Sequence, residues 1–455
     1  MKALTLSQIA AWVDGALIQG VPSQVVTSLT TDSRKAGPDS IFVALKGERH
    51  DAHQFLGDVA AAGASAVLVH ALPAETESYT GGIIRVKDTL KALQDLAAQH
   101  RRATNDLFVV GITGSNGKTS TKDFLSAVLA QGGQVNRTAG NLNNHIGLPL
   151  TILSGREGDK FGVWDMGMNH PGEIEVLAEI ARPDAAVVTN IGTAHIEHMG
   201  TREAIALEKS SLPAAVPASG YCVMPGSDDY YDVVKANISC EMVPVGIGSG
   251  SVRAESLTAD NDGRMRFDLC SDYGDTVEVI LPVRGDHMVM NALLAAAVGL
   301  RQGISPAAVA EALSGVQLTH GRLEELTVRG ISFIDDSYNA NPDSMLAALR
   351  TLQSATVTGR RVAVLGFMGE LGEHEEAEHH RLGERVVAHG VDALVTVTPR
   401  AAVINQSVTG LRVNFQFETH AEAADFLRDY LTAGDLVLVK GSRSAGMEQV
   451  IAHLI

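Results

Sequence analysis

Hydrophobic residues along this chain fall in short continuous runs that alternate with segments of helical periodicity. The run LFVVGITG at 107–114 is typical of a buried strand, and the segment at 118–130 after it has helical spacing. Further runs, FGVWDMG, AAVVTNIG and GYCVMPG, continue the alternation, with another helical stretch at 172–181. Strands that alternate with helices indicate βαβ units, so a mostly parallel sheet is predicted here.

A different pattern precedes this segment. Strands are predicted at 40–47 (SIFVALKG) and at 65–70 (SAVLVH), separated by turns. The amphipathic stretch at 85–101 predicts a helix that connects this block to the next.

A third pattern follows it. Residues 251–282 favour antiparallel strands before a helix at 288–302. Beyond them, the runs SFIDD, RVAVLGF, DALVTV and DLVLVKG alternate with helical segments, which indicates a second doubly wound α/β unit. We therefore expect an α/β protein with three domains, at 1–84, 85–317 and 318–455.

Composition restricts the class of protein. A chain of 455 residues fits three domains of about 150 residues each. The formal net charge of −17 argues against nucleic-acid partners and anionic membranes, although a local nest of amides can still hold a small anion. The chain has 3 cysteines without metal-ligand spacing, no run of 18 apolar residues and no signal-peptide cleavage pattern. We expect a cytoplasmic protein without a membrane span.

The string GITGSNGKTS follows a predicted strand and opens a helix, as a phosphate-binding loop does. Gly114 and Gly117 let backbone amides turn toward phosphates, Lys118 can bridge the β- and γ-phosphates, and the Thr119 hydroxyl can hold Mg²⁺. Ile112 stands where the common pattern has glycine, so this is a variant loop, and a glycine-rich turn that binds nothing is the alternative. The predicted ATP-binding residues of the loop are Gly114, Ser115, Asn116, Gly117, Lys118, Thr119 and Ser120.

This variant loop and seven further segments in the same order resemble the Mur ligase family. The segments are WDMGMNHPGEI (164–174), TNIGTAHIEHMGT (189–201), EKS (208–210), GDHMVMNALLAAA (285–297), HGRLE (320–324), DDSYNANPDSM (335–345) and VKGSRSAGMEQV (439–450). Near the start, residues 31–55 resemble the family's UDP-binding opening. The resemblance implies a small α/β UDP-sugar domain, a central P-loop ATPase domain with a mostly parallel sheet, and a C-terminal Rossmann-like domain for the incoming amino acid or dipeptide.

Within the family, DDSYNANP resembles the member that adds D-alanyl-D-alanine (D-Ala-D-Ala) to UDP-MurNAc-tripeptide in bacterial peptidoglycan synthesis. The Asp-Asn-Pro-Arg element of the diamino-acid-adding relative is not found. The resemblance implies an ATP-dependent amide ligase: a carboxylate attacks the γ-phosphate, an acyl phosphate forms, and an amine displaces phosphate. Two Mg²⁺ ions suit the charge of the transferring group.

The alternatives are a Mur-type ligase that adds one amino acid, diaminopimelate or lysine, and a P-loop nucleotide-binding module without ligase activity. A monomer is expected.

Three residues outside the loop are candidate metal ligands. Asp165 ends a predicted strand and can ligate Mg²⁺ or, alternatively, cap the next turn; the family usually has glutamate there, which is one methylene longer. His195 reads as a loop histidine, because hard cations prefer oxygen, and only the resemblance implies a metal ligand. His198 is interpreted as structural. Lys209 reads as a solvated helix cation, but the resemblance implies a lysine carbamylated by CO₂, which requires a neutral amine.

The remaining candidates come from the resemblance and from strand ends. Asn291, one turn after His287, is expected to hold adenine, with a polar helix start as the alternative. Arg322 is expected to contact the γ-phosphate, with an exposed linker arginine as the alternative. Asp336 is expected to contact the ribose or ATP, with an Asx turn as the alternative. The predicted dipeptide-binding residues are Tyr338, Asn339, Lys440, Ser442 and Arg443. The predicted UDP-substrate-binding residues are Asp32, Ser33, Arg34, Lys46 and Gly47. Ordinary loops and basic turns are the alternatives for both sets. The run at 369–381, with its histidines, is predicted to be a solvated acidic helix rather than a metal cluster.

Overall fold

The computed structural model describes residues 1–47, 50–72, 79–260 and 263–455, which form three α/β domains, each built around its own sheet. Glu48 and Arg49, part of the segment at 31–55, lie outside the described residues. The expected fold class is confirmed, while the domain boundaries stay predictions. Within the described ranges, no helix has both the length and the apolar character that a bilayer crossing demands.

The first domain has a five-stranded sheet and a separate pair of short strands. Its elements are β1 Leu4–Thr5, α1 Leu6–Trp12, β2 Ala16–Gln19, β3 Val25–Val26, β4 Ser28–Thr30, β5 Ser40–Val43, α2 Leu56–Ala61, β6 Ala66–Val69, β7 Gly82–Arg85 and α3 Thr89–Arg102. The sheet order is β2-β7-β6-β5-β4, and β2 alone runs antiparallel to its neighbour.

The sequence places these elements through burial and capping. β5 and β6, the two predicted strands, are buried along their whole length, as the middle strands of a parallel sheet require. The predicted connecting helix is α3, which begins where the Asp88 side chain accepts hydrogen bonds from the amides of Leu90 and Lys91. It packs on α1 and so joins the first domain to the next.

The central domain has a nine-stranded sheet. Its elements are β8 Phe108–Thr113, α4 Lys118–Ala130, β9 Gln134–Arg137, α5 Gly147–Leu153, β10 Asp159–Asp165, α6 Glu173–Ala181, β11 Ala185–Val188, α7 Ile196–Met199, α8 Arg202–Ala214, β12 Tyr221–Pro225, α9 Tyr231–Ala236, β13 Glu241–Ile247, β14 Val252–Ala259, β15 Met265–Ser271, β16 Gly274–Ile280, α10 Asp286–Arg301 and α11 Pro306–Ser314. The order is β16-β15-β14-β13-β12-β11-β8-β10-β9, parallel except for the pairs β14–β15 and β15–β16.

The centre of this sheet positions the candidate chemistry. β8 lies between β10 and β11 and pairs with both in parallel, so the loops that follow these three strands meet at one edge. The phosphate-loop candidate follows β8, Asp165 ends β10, and the segment leading to His195 follows β11. Helix α4 continues directly from the loop and packs against α10, which brings their amino-terminal ends together.

The third domain has a six-stranded sheet. Its elements are β17 Glu324–Val328, β18 Ile331–Asp336, α12 Pro342–Ser354, β19 Arg361–Leu365, α13 Glu375–Ala388, β20 Ala393–Val397, α14 Ala402–Gln406, β21 Val413–Phe417, α15 His420–Tyr430, β22 Leu436–Lys440 and α16 Glu448–Leu454. The order is β17-β18-β22-β19-β20-β21, and only the pair β17–β18 is antiparallel. This is the doubly wound arrangement expected for the Rossmann-like domain.

Helix α13 corrects one interpretation of the sequence. His379 is not solvated, as the acidic run suggested, but only 1% exposed. Its Nε2 accepts a hydrogen bond from the Met368 amide at 2.8 Å, and its Nδ1 lies 2.8 Å from the Glu375 carbonyl oxygen. Both ring nitrogens are thus used to fix the segment that precedes α13, which leaves neither for a metal.

Candidate active site

A cavity of about 1240 Å³ opens between the central and third domains. Its walls include the loops after β8, β10 and β11 from the central domain and the ends of β18 and β22 from the third. The cavity therefore lies at the carboxyl edges of two parallel sheets, where α/β proteins bind their ligands.

The phosphate-loop candidate has a backbone that only glycine allows. Gly114 has a φ of +147° and Gly117 a φ of +79°. A Cβ on Gly114 would lie 1.8 Å from Oγ1 of Thr189, and one on Gly117 would lie 2.5 Å from Oδ1 of Asn291. The two glycines thus let the loop approach β11 and the start of α10 closely.

Backbone hydrogen bonds narrow the part of the loop that can hold an anion. The amides of Ser115 and Asn116 donate to the backbone and side-chain oxygens of Asn190, both at 3.0 Å. Ser115 Oγ also accepts from the Gly192 amide at 2.8 Å. Ser115 and Asn116 thus fix the loop to the segment after β11, and the amides that can face a phosphate are those at the start of α4.

The Lys118 side chain folds back over the loop. Its Nζ donates to the Gly114 carbonyl oxygen at 2.5 Å. Burial lowers the pKa of Lys118, and the negative charge of Asp165 opposes this shift. The ammonium group thus lies over the phosphate loop, close enough to Asp165 for the two charges to interact.

Asp165 offers a carboxylate oxygen without a protein partner. The residue is 2% exposed, and its amide donates to Thr138 Oγ1 at 3.0 Å. Oδ2 lies 3.4 Å from Nδ2 of Asn143, while Oδ1 is buried and forms no hydrogen bond with the described residues. A buried, unpaired oxygen is costly unless a ligand satisfies it, so the donor fits a hard divalent cation.

Arg322 crosses from the segment that leads into the third domain to the phosphate loop. Its guanidinium donates to Thr119 Oγ1 at 3.2 Å and lies 4.1 Å from the Tyr338 ring centroid. Its Nε is buried and unpartnered among the described residues. The alternative of an exposed linker arginine is therefore wrong, and a donor remains free beside the loop.

Lys209 is the largest departure from what its local sequence suggests. It is only 1% exposed, whereas the sequence alone favoured a solvated cation. Burial, followed by the positive charge of Lys118, holds the pKa of Lys209 well below its usual range. Burial thus favours the neutral amine, and that is the form that reacts with CO₂.

Glu208, the neighbour of Lys209, has a structural task. Its carboxylate accepts hydrogen bonds from the Gly172 and Ile174 amides, both at 2.8 Å. These amides belong to the start of α6, which otherwise has no side-chain cap. Glu208 thus fixes α8 against the start of α6.

His195 lies at the cavity with a left-handed backbone, φ +65°. Its Nδ1 is 2.6 Å from Oε2 of Glu370, which comes from the third domain, although the angle is not that of a hydrogen bond. The contact lowers the pKa of Glu370, and burial opposes it. The His198 ring lies 4.6 Å from the His170 ring, away from this contact.

The third-domain candidates divide into two groups. Lys440 is 2% exposed, and its Nζ donates to Asp336 Oδ2 at 2.5 Å and to the Asn339 carbonyl oxygen at 2.9 Å. This buried pair ties the end of β22 to the end of β18. Lys440 therefore positions the cavity wall through its pair with Asp336, and its role toward the dipeptide stays a prediction.

The second group faces the cavity. Arg443 is exposed, with its guanidinium 5.8 Å from the Tyr338 ring centroid and 3.2 Å from Glu448. Its amide donates to Asn339 Oδ1 at 3.2 Å. Ser442, only 3% exposed, also lines the cavity, so an exposed cation and several polar atoms meet at one wall.

Asn291 lines the same cavity beside Gly117 and is 5% exposed. Its Nδ2 makes only a long contact, 3.6 Å, with Met288 Sδ among the described residues. The neighbouring His287 also lines the cavity, and burial lowers its pKa. The structure thus places two polar side chains of α10 at the end of the phosphate loop.

The first-domain candidates do not line this cavity. Arg34 forms a two-point ion pair with Asp32, at 2.8 Å for both contacts, and these hydrogen bonds lower the pKa of Asp32 to about 2. Ser33 begins the turn between them. Lys46 lies 3.9 Å from Asp51, and the Gly47 amide donates to the His50 carbonyl oxygen.

Asp51, His53 and His70 form a cluster with metal-ligand spacing in the same domain. The His53 Nδ1 lies 2.6 Å from Asp51 Oδ1, and its Nε2 accepts from the His70 amide at 3.1 Å. Both nitrogens of His53 are engaged, so the cluster ties two loops together instead of offering a set of free ligands.

Several residues that join the domains were not predicted as site residues. Asn341 donates to Asn116 Oδ1 at 2.8 Å, and Asp343 accepts from the Thr193 amide at 3.0 Å. Both belong to the segment at 335–345, whose polar run continues past the predicted turn into α12. That continuation was the available signal; Glu370, in contrast, had none.

Comparison with known proteins adds an independent line of evidence. Three family models match in order: "Mur ligase family, catalytic domain" over residues 25–101, "Mur ligase middle domain" over 112–299, and "Mur ligase, glutamate ligase domain" over 321–443. Together these matches span all three sheets.

Full-length relatives and solved structures agree with the family models. The UDP-N-acetylmuramoyl-tripeptide--D-alanyl-D-alanine ligase of Bacillus subtilis strain 168 is 36% identical, over 99% of this chain and 98% of its own length. MurF from Acinetobacter baumannii superposes with a TM-score of 0.91 at 33% identity, over 100% and 99% of the two chains. MurF from Thermotoga maritima in complex with ADP gives 0.83 at 27% identity, over 94% and 97%.

Proposed function

The chain belongs to the Mur ligase family, and we propose that it is the ATP-dependent ligase that joins D-Ala-D-Ala to UDP-MurNAc-tripeptide, with release of ADP and phosphate. Relatives of 32–37% identity and nearly full coverage carry this activity in their names. The observation that carries the proposal is the cavity in which the phosphate loop, Asp165 and the polar wall of the third domain face one another. Ligation needs these three parts within reach of one intermediate.

Nucleotide binding is supported by the phosphate loop and by α10. The amides at the start of α4, from Gly117 to Ser120, and the Lys118 ammonium would hold the phosphates of ATP. Asn291 lies beside Gly117, where it can contact the base, and the free Nε of Arg322 can reach the γ-phosphate. Asp336 lines the cavity and is paired with Lys440, and it is our candidate for binding the ribose.

The donor set also fits Mg²⁺. Thr119 and Asp165 supply oxygen donors, and we assign them to the ion that accompanies the nucleotide. His195 and a carbamylated Lys209 would hold a second ion. When bound, Mg²⁺ neutralises charge on the transferring phosphoryl group.

The carbamate on Lys209 would form by attack of the neutral Nζ on CO₂, with loss of one proton to solvent. This converts a buried cation into an anion with two oxygen donors, which removes the like-charge conflict with Lys118. Burial at 1% exposure is what makes the neutral amine accessible.

The two substrates are assigned to the third domain and the first domain. We propose that Arg443, Ser442, Tyr338 and Asn339 receive the dipeptide, with Arg443 as the cation for its carboxylate. Lys440 supports this wall through its pair with Asp336. Asp32, Ser33, Arg34, Lys46 and Gly47 remain the candidates for the UDP moiety in the first domain. A monomeric state and a cytoplasmic location stay predictions.

The test is phosphate release from ATP with UDP-MurNAc-tripeptide, scanned against D-Ala-D-Ala, meso-diaminopimelate and L-lysine. We expect release only with D-Ala-D-Ala, and only when Mg²⁺ is present. Equal rates with a single amino acid would favour a Mur-type ligase of other specificity. ATP binding without any acceptor-dependent release would favour a nucleotide-binding module.

A further inference from the structure

Two strained residues from different domains meet at the edge of the cavity. His195, in the central domain, has a φ of +65°, and Glu370, in the third domain, has a φ of +60°. Positive φ is uncommon for residues other than glycine, although histidine tolerates it better than glutamate, and such a backbone persists where the surroundings impose it. The residues touch through His195 Nδ1 and Glu370 Oε2, 2.6 Å apart.

The turn at 369–372 is built to deliver this contact. The Glu370 carbonyl oxygen accepts from the amide of Glu197, two residues beyond His195, at 3.4 Å. Gly372 has a φ of +54°, and a Cβ there would lie 2.9 Å from Glu197 Cγ, so a side chain would push the turn away. Leu371, next to Glu370, is 1% exposed and anchors the turn in the third domain.

The contact leaves one ring nitrogen available. The His195 ring lines the cavity, and its contact with Glu370 is made on the Nδ1 side, so Nε2 is the ring nitrogen left for a ligand. A carboxylate this close to Nδ1 favours the tautomer that keeps its proton on Nδ1, which leaves the lone pair on Nε2, the form that binds a metal. The third domain thereby sets the chemical state of a central-domain ligand candidate.

We propose that Glu370 is a positioning residue of the ligase reaction, which fixes the orientation and tautomer of His195 when the third domain closes on the central domain. The inference rests on the proposed function, in which His195 is a metal ligand. It means that metal binding in the central domain and closure by the dipeptide-binding domain are coupled, because only the closed arrangement brings Glu370 to Nδ1.

The test compares Glu370→Gln with Glu373→Gln, which removes the same charge from an exposed position three residues away. Mn²⁺ binding to the full chain with a non-hydrolysable ATP analogue is followed by electron paramagnetic resonance. We expect Glu370→Gln to weaken the second Mn²⁺ site about tenfold, the low end of the effect of outer-shell partners, and Glu373→Gln to leave it unchanged. ¹⁵N NMR of the histidine rings should show that only Glu370→Gln shifts His195 away from the Nδ1–H tautomer.

A double-variant comparison separates positioning from a structural role. If Glu370 acts through His195, its substitution changes Mn²⁺ binding in the parent but has no further effect in a His195→Ala background. Equal effects in both backgrounds, or an unchanged tautomer and Mn²⁺ affinity in Glu370→Gln, would overturn the proposal. Phosphate release by the parent with D-Ala-D-Ala is measured first, so a failure of the proposed function is seen independently of Glu370.

Discussion

Individual side chains in this protein acquire their chemistry from burial. Lys118 and Lys209 both lie in helices that read as ordinary amphipathic segments, yet burial lowers the pKa of each amine. The negative charge of Asp165 partly offsets the lowering of the pKa in both lysines. The two amines consequently differ in use: one remains a cation near phosphate, and the other is the candidate for carbamylation.

The first prediction concerns Lys118. Lys118→Ala should lower kcat about 10²–10³-fold, because a preorganised charge on the transferring phosphoryl group is lost. Steady-state phosphate release measures the effect, and the thermal unfolding midpoint should stay close to that of the parent. Lys235→Ala, an exposed lysine of α9, is the control and should keep parental kcat. A Lys118→Ala enzyme with near-normal turnover would remove the loop from the mechanism.

The second prediction concerns Lys209. Lys209→Ala should reduce kcat by at least about 10²-fold, and a short carboxylic acid in the buffer should restore part of it by supplying oxygens to the metal. ¹³C NMR of the parent in ¹³C-bicarbonate should show one carbamate signal that is absent from the variant. If the variant is inactive, cannot be rescued and the parent shows no signal, the carbamate is ruled out.

At the scale of elements, the active-site loops are fixed by residues of neighbouring elements as well as by their own. Glu208 of α8 supplies the cap that α6 lacks, and Asn190 holds the phosphate loop through two amides. The start of α6 and the phosphate loop are thus each held by a residue that is distant in sequence, which preorganises the phosphate loop for its ligand.

The third prediction concerns Glu208. Glu208→Ala leaves the buried Ile174 amide and the Gly172 amide without acceptors, and should lower the free energy of unfolding by roughly 1–3 kcal/mol. Urea denaturation followed by circular dichroism measures the change. Glu179→Ala, at an exposed position of α6, should leave the midpoint within experimental error. Equal midpoints for the two variants would contradict the capping role.

For the whole molecule, polar contacts from the third domain and the segment that leads into it reach the phosphate loop and the segment after β11. Asn341 reaches Asn116, Asp343 reaches Thr193, and Arg322 reaches Thr119. A polar interface of this kind allows the domains to separate and close, so that the reacting groups meet only when both ligands are present.

The fourth prediction concerns this interface. Asp343→Ala removes the acceptor for the Thr193 amide and hydroxyl, at 3.0 and 3.2 Å, and should lower kcat/KM for the dipeptide about tenfold because the closed form becomes less populated. Solution scattering should give a larger radius of gyration for this variant than for the parent. Asp429→Ala, exposed on α15, is the control. A parental radius and parental kinetics for Asp343→Ala would argue against a closing interface.

The sequence by itself determined the fold class, the strands and helices, and the phosphate loop. Helix α4 spans the predicted 118–130, and β8 lies inside the predicted run at 107–114, because periodicity and turn chemistry are local properties. The glycines at 114 and 117 also follow from local needs, since only glycine fits the backbone that the loop adopts.

Only the tertiary structure decided which charges are buried and which are paired. From the sequence, Lys209 reads as a solvated cation, Arg322 as a γ-phosphate contact or an exposed linker arginine, and Lys440 as a dipeptide-binding residue. The structure buries Lys209 and Lys440 and buries Nε of Arg322. Glu370, interpreted only as part of the solvated run at 369–381, lies against His195. The state of such a group depends on the desolvation and the charges contributed by elements far along the chain. A sequence window of a few turns carries the periodicity that makes a helix, but it does not contain the partners that decide what the residues on that helix can do.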